Sequence, residues 1–134
     1  MDTELITALA AATTRSRCRR GQAGAVLIDP DGNLVAAHGT GPLFTDPPCA
    51  GHCDVRERCR HAVHAEMWCL RTLATLTDLP RDWVLAVSHT PCYRCAQLIV
   101  LSGIHTVLYL NLYRDATGLE ILDRAGVTVR RIGP

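Results

Sequence analysis

"WVLAVSHTPCYRCAQLIVLSGIHTVLYLN", residues 83–111, reads as a strand, a helix and a second strand. The outer runs, 83–89 and 105–111, are dominated by β-branched and other apolar residues. The segment of about 92–102 between them has helical length and starts just after Pro91, which favours a first helical turn. Two strands joined by a helix of about ten residues form a parallel pair with a right-handed crossover, so the sheet they belong to is covered by helices. The alternation continues on both sides, with a helix over about 62–77 ahead, and a helix over about 117–125 and a strand over 127–132 behind.

Toward the N-terminus, residues 3–17 carry Leu5, Leu9 and Ala12 at helical spacing and predict an opening helix. "QAGAVLIDPDGNLVAAHG", residues 22–39, predicts a β-hairpin turning at Asp29–Asn33. That hairpin is expected to supply the one antiparallel pair of a mixed sheet, so the class is α/β.

The 134 residues make one domain, 1–134, with a core large enough to fold without staples. Charge is nearly balanced, 14 basic against 13 acidic residues, which favours a small-molecule ligand over a nucleic acid or a membrane surface. Every basic residue is arginine, so Schiff-base chemistry and a lysine general base are excluded. No apolar run reaches membrane-spanning length, and "MDTELITALAAATTRSR" is acidic first and basic later, the reverse of a secretory signal. We expect a soluble, cytoplasmic protein. Seven cysteines, an odd number, then argue for thiolates on metal rather than a disulfide framework.

Two of those cysteines, Cys92 and Cys95, stand three apart at a helix start, where they share a face and where the helix amides lower a thiol pKa. "HAVHAEMWCL", residues 61–70, opens the preceding helix with His64 and Glu66. Successive βα units can bring both helix starts to one edge of the sheet. One imidazole and two thiolates suit Zn²⁺, and three protein ligands leave a fourth position open, as catalytic sites require. Glu66 points away from the ligand side of an ideal helix and is placed to move protons rather than to bind metal. A lone Cys-x-x-Cys serves equally as a redox dithiol or half a structural zinc knuckle, but neither gives His64 and Glu66 a role.

The cysteine-rich stretch 39–60, "GTGPLFTDPPCAGHCDVRERCR", shows no sustained period and reads as an insertion loop. Cys18, Cys49, Cys53 and Cys59 straddle it, and a structural Zn²⁺ on four thiolates would order it. His52 or His61 can replace a neighbouring cysteine in that set, and four free thiols are the plainer alternative. Cys69, inside "MWCLRTL", reads as a small buried hydrophobe.

His-x-Glu followed by Pro-Cys-x-x-Cys is the known signature of zinc nucleobase deaminases. The chain resembles the cytidine deaminase superfamily over nearly its whole length, and within it the deoxycytidylate deaminases. "CRRGQAGAVLI", "CRHAVHAEM", "VSHTPCYRCAQLIVLSGIHTVLYLNLY" and a final "AGV" carry the likeness. The resemblance implies a three-layer α/β/α sandwich on a five-stranded mixed sheet, with zinc on His64, Cys92 and Cys95 and proton transfer by Glu66. It also implies that the backbone N–H of Ala65 and the backbone C=O of Thr90 hold the base edge, leaving their side chains free to vary. Tyr113 would stack on the base, and Arg19 and Arg20 would meet a phosphate or simply complement a helix end. Some deoxycytidylate deaminases carry a structural zinc where Cys18 and Cys59 fall. Homo-oligomers are usual among them.

Two positions depart from that pattern. In "AHGTGP", residues 37–42, Thr40 replaces a sugar-binding asparagine, and Trp68 replaces the asparagine after "HAEM". A hydroxyl lacks the amide's bidentate capacity. The implied function is hydrolytic deamination of a free cytosine nucleotide, dCMP first. Deamination of a modified base competes with it, and a non-catalytic zinc-stabilised binding module is the reading from another class. An RNA or DNA deaminase would need a more cationic surface.

Overall fold

The computed structural model describes residues 2–16, 22–43 and 62–133. Alanine and leucine carry helix α1 (Asp2–Thr14), whose Leu5, Leu9 and Ala12 form its buried stripe. Strands β1 (Gly24–Ile28) and β2 (Leu34–Gly39) form the expected hairpin. Its turn is closed by the Asp29 side chain, which accepts the Asp31 and Asn33 backbone N–H groups at 3.0 and 2.8 Å, while Gly32 takes a φ of 86°.

A two-residue ladder follows, β3 (Gly41–Pro42) against β4 (Ala62–Val63). Helix α2 (Ala65–Leu76), strand β5 (Val84–His89), helix α3 (Tyr93–Ser102), strand β6 (Thr106–Asn111), helix α4 (Thr117–Arg124) and strand β7 (Thr128–Arg131) complete the alternation. The main sheet has five strands in the order β2-β1-β5-β6-β7. β5, β6 and β7 are parallel, as the crossover lengths predict.

The hairpin does not hold the one antiparallel pair. β1 is antiparallel to β5 as well, with Ala25 opposite Val87. The chain leaves β2 at the sheet edge, crosses through α2 and returns on the far side of β1, so β2 and β5 run together and β1 opposes both. Residues 62–63, expected in the helix, belong to β4 instead, and α2 starts at Ala65.

Period-two alternation along β1 splits the core into two faces. Val26 and Ile28 pack with Leu5 and Leu9 of α1, Ala86, Leu108 and Ile132. Ala25 and Leu27 face the other way, toward Cys69 and Leu73 of α2, Ile99 of α3 and Leu122 of α4. The result is the expected three-layer α/β/α sandwich. Gly24 and Gly39 pair across β1 and β2, and a Cβ on either would stand 2.6 Å from the backbone of Thr13 or Ala12, so only glycine lets the end of α1 lie on the sheet there. Among the described residues no helix is long and apolar enough to cross a membrane.

Candidate active site

His64 and Cys92 occupy equivalent places. Each is the N-cap residue of its helix, with extended backbone at φ −66°, ψ 148° for His64 and φ −68°, ψ 170° for Cys92. Their carbonyls start the helical ladders, His64 accepting from Met67 N–H at 3.0 Å and Cys92 from Ala96 N–H at 2.9 Å. Neither side chain caps its own helix, so both are available for other chemistry. Cys95 lies one turn into α3, and both cysteines are buried.

His64 Nδ1 lies 3.7 Å from Cys92 Sγ and 3.3 Å from Cys95 Sγ. The three donor atoms all lie within 4.8 Å of one another and could hold a metal ion. Bonds of about 2.3 Å to sulfur and about 2.0–2.1 Å to nitrogen at a tetrahedral angle put N and S about 3.6 Å apart. The observed pair of separations brackets that value, so the donor set fits zinc in spacing as well as in chemistry.

The hydrogen bond from Cys95 holds the Cys92 thiol down to about 3, while that bond, burial and the nearby Glu66 push Cys95 up. A divalent ion held by these three atoms would supply the charge that lets both thiols ionise. Glu66 is 7% exposed and contacts the Cys95 thiol. Burial pushes its carboxyl above the usual carboxylate range, against the opposing pull of its own backbone and His64. The carboxyl is therefore turned inward beside the metal-capable atoms, closer to them than an ideal helical wheel suggests.

The expected substrate contacts are dispersed along the same edge. Ala65 is fully buried at the start of α2. Thr40 is buried between β2 and β3, its hydroxyl directed at the Ala23 carbonyl at 3.5 Å and its own carbonyl accepting from Ser16 Oγ at 2.9 Å. Tyr113 follows β6 and is 41% exposed. The Thr90 side chain is not free to vary, because its hydroxyl oxygen accepts the Tyr113 N–H at 2.7 Å and ties that loop to the turn ahead of Cys92. The half-buried Trp68 ring stacks on His38 at 6.3 Å between centroids. His38 in turn bonds Thr72 Oγ1 at 3.1 Å, and burial with Arg15 and Arg71 nearby holds its pKa below the ordinary imidazole value.

Cys18, Cys49, Cys53 and Cys59, with His52, His61, Arg19 and Arg20, lie outside the described residues. Sequence reading also passed over three residues that frame the site. Ser88 Oγ accepts the Gly24 N–H at 3.0 Å and pairs with His89 Nδ1 at 3.0 Å, Asn111 Nδ2 donates to the Ser88 carbonyl at 3.1 Å, and Gly118 abuts Pro91. Apart from the Ser88–His89 contact, their partners are distant in sequence, and no local pattern marks them.

The family model for the cytidine and deoxycytidylate deaminase zinc-binding region matches residues 2–111. ComE operon protein 2 of Bacillus subtilis (strain 168) is 30% identical over 122 residues, covering 88% of this chain, and the chain spans 64% of that relative's length. The dCMP deaminase of cyanophage S-TIM5, solved in complex with dCMP and dUMP, superposes with a TM-score of 0.79 at 24% identity, over 97% of this chain and 95% of that chain. The diaminohydroxyphosphoribosylaminopyrimidine deaminase/5-amino-6-(5-phosphoribosylamino)uracil reductase of Thermotoga maritima shares the fold with a TM-score of 0.72 at 20% identity, over 97% of this chain and 36% of that one. The fold and the donor set define a zinc-binding deaminase domain. The chain belongs to the cytidine and deoxycytidylate deaminase family, a family of hydrolytic enzymes.

Proposed function

We propose that the protein is a zinc-dependent hydrolase that removes the exocyclic amine of a free cytosine nucleotide, converting dCMP and water to dUMP and ammonia. The observation that carries this reading is the convergence of His64, Cys92 and Cys95 beside the inward-turned carboxyl of Glu66. His64, Cys92 and Cys95 would hold the ion, which when bound supplies Lewis acidity to activate water at neutral pH. Glu66 takes the proton that the attacking water gives up and passes it to the ring nitrogen. It then helps deliver a proton to the amine as the C–N bond breaks. Its burial suits that cycle, since desolvation raises the pKa of a carboxyl and makes it a better proton acceptor.

Around this centre the Ala65 N–H and Thr90 C=O are assigned to the base edge, Tyr113 to the exposed face of the base and Thr40 to the sugar. Deamination of a modified base is favoured by one specific feature, the Thr40 hydroxyl, which is directed at the Ala23 carbonyl instead of presenting an amide to a ribose. The reading as a binding module leaves the buried Glu66 carboxyl without a purpose. A second, structural zinc on Cys18, Cys49, Cys53 and Cys59, a homo-oligomeric assembly, a single domain and a cytoplasmic setting complete the proposal.

The test is ammonia release from cytosine, cytidine, deoxycytidine, their mono- and triphosphates, guanine and adenosine, with metal content measured on the same samples. Release from dCMP that is lost in Glu66→Gln supports the leading reading. Release from another compound alone moves the assignment to that substrate, and none from zinc-loaded protein leaves the binding module. Two zinc ions per chain, falling to one in Cys49→Ser, support the structural site; one in both excludes it.

A further inference from the structure

Cys92 stands where a loop meets a helix, its carbonyl accepting the Ala96 N–H of α3 at 2.9 Å. As the N-cap residue its N–H takes no part in the α3 ladder, so the thiol goes where the peptide 90–92 puts it. Among the described residues, three contacts on that peptide come from the segment between the end of β6 and the start of α4. Thr90 N–H donates to the Asn111 carbonyl at 2.9 Å, and Tyr113 N–H donates to Thr90 Oγ1 at 2.7 Å. Gly118, in the first turn of α4, passes so close that a Cβ there would overlap the Pro91 carbonyl oxygen and stand 3.1 Å from the Cys92 carbonyl carbon.

We propose that residues 111–118 clamp the Cys92 peptide and thereby set the zinc affinity of the site, with Thr90 and Gly118 as positioning residues. The proposal rests on the zinc reading above. A methyl group at 118 forces either α4 or the Pro91 peptide to move by about an ångström to reach ordinary contact distance. Leu122 anchors α4 and Pro91 anchors the loop, both fully buried, so the strain is shared and part of it reaches the Cys92 peptide. Ligand distances tolerate only about 0.2 Å, so a displaced Cys92 sulfur weakens the site even though no ligand has changed.

The test is zinc competition against a chelator, with Cys92→Ser defining the zinc that belongs to this site and melting temperature read in parallel. Gly118→Ala and Thr90→Val are expected to lose about tenfold or more in zinc affinity, as residues supporting metal ligands do. Thr90→Ser, which keeps the accepting oxygen, retains wild-type affinity. Gly126→Ala is the control for general destabilisation, because Gly126 has a φ of 78° with nothing within 4 Å of an added Cβ. It is expected to melt lower and bind zinc normally. Thr90→Val keeps the branched shape with only a small gain in volume and carries the test if Gly118→Ala does not fold. Unchanged affinity in Thr90→Val and in any folded Gly118→Ala, or an equal loss in Gly126→Ala, overturns the clamp. Wild type and Cys92→Ser binding zinc alike overturns the zinc reading, and the clamp with it.

Discussion

Cys69 and Cys92 are both buried thiols, one inside α2 and one at the start of α3, and their surroundings drive them in opposite directions. Cys69 sits among Leu73, Leu85 and Ile99, and burial pushes it up to about 12, with the Glu66 charge adding to the effect. Cys92 has Cys95 and His64 as partners, and the Cys95 hydrogen bond holds it down to about 3. Burial alone disfavours a thiolate, and a hydrogen-bond donor placed against the sulfur favours one. Residue type is the same in both places, and position in the element decides whether it is packing or chemistry.

The largest effect expected from breaking this contrast is at the metal-capable end. His64→Ala, Cys92→Ser or Cys95→Ser removes zinc from the site and takes deaminase activity to background, read by metal content and ammonia release. Glu66→Gln keeps the metal and lowers kcat by about 10²–10⁴, the range for a lost general acid–base group. Trp68→Ala, which removes a half-buried ring stacked on His38, costs about 1–3 kcal/mol in denaturant unfolding and leaves zinc content unchanged.

Cys69→Val adds about a methylene's volume to a closed core and should cost about 1–3 kcal/mol. It also sharpens the pH dependence. The folded pKa of Cys69 is raised from 9.0 to about 12, so its contribution is fully present below about 9 and is lost as pH rises toward 12. The difference in stability between wild type and Cys69→Val is therefore flat below pH 9 and shifts in favour of the variant above it. A difference that stays flat to pH 12 would remove Cys69 from the comparison.

Much of this was legible because it is periodic or local. The βα alternation, the hairpin turn at Asp29 and the pairing of His64 with Cys92 and Cys95 all follow from spacing along the chain. β1 opposing β5 was not legible, since strand direction beyond a hairpin depends on which side of the sheet the α2 crossover returns to. The β3–β4 ladder is two residues long and too short to show alternation. The inward turn of Glu66 depends on how α2 rests against α3, and the role of the Thr90 hydroxyl depends on an amide 23 residues away. Residues that carry chemistry announced themselves by type, whereas those that position them, Thr90, Asn111 and Gly118, look ordinary in sequence.

Zinc-edge anomalous diffraction from crystals of the protein tests the centre of this reading most directly. It predicts a peak bonded to His64 Nδ1, Cys92 Sγ and Cys95 Sγ, with no fourth protein ligand and the Glu66 carboxyl alongside but not bound. A fourth protein atom completing the coordination, or zinc found elsewhere while these three side chains stay metal-free, would contradict it.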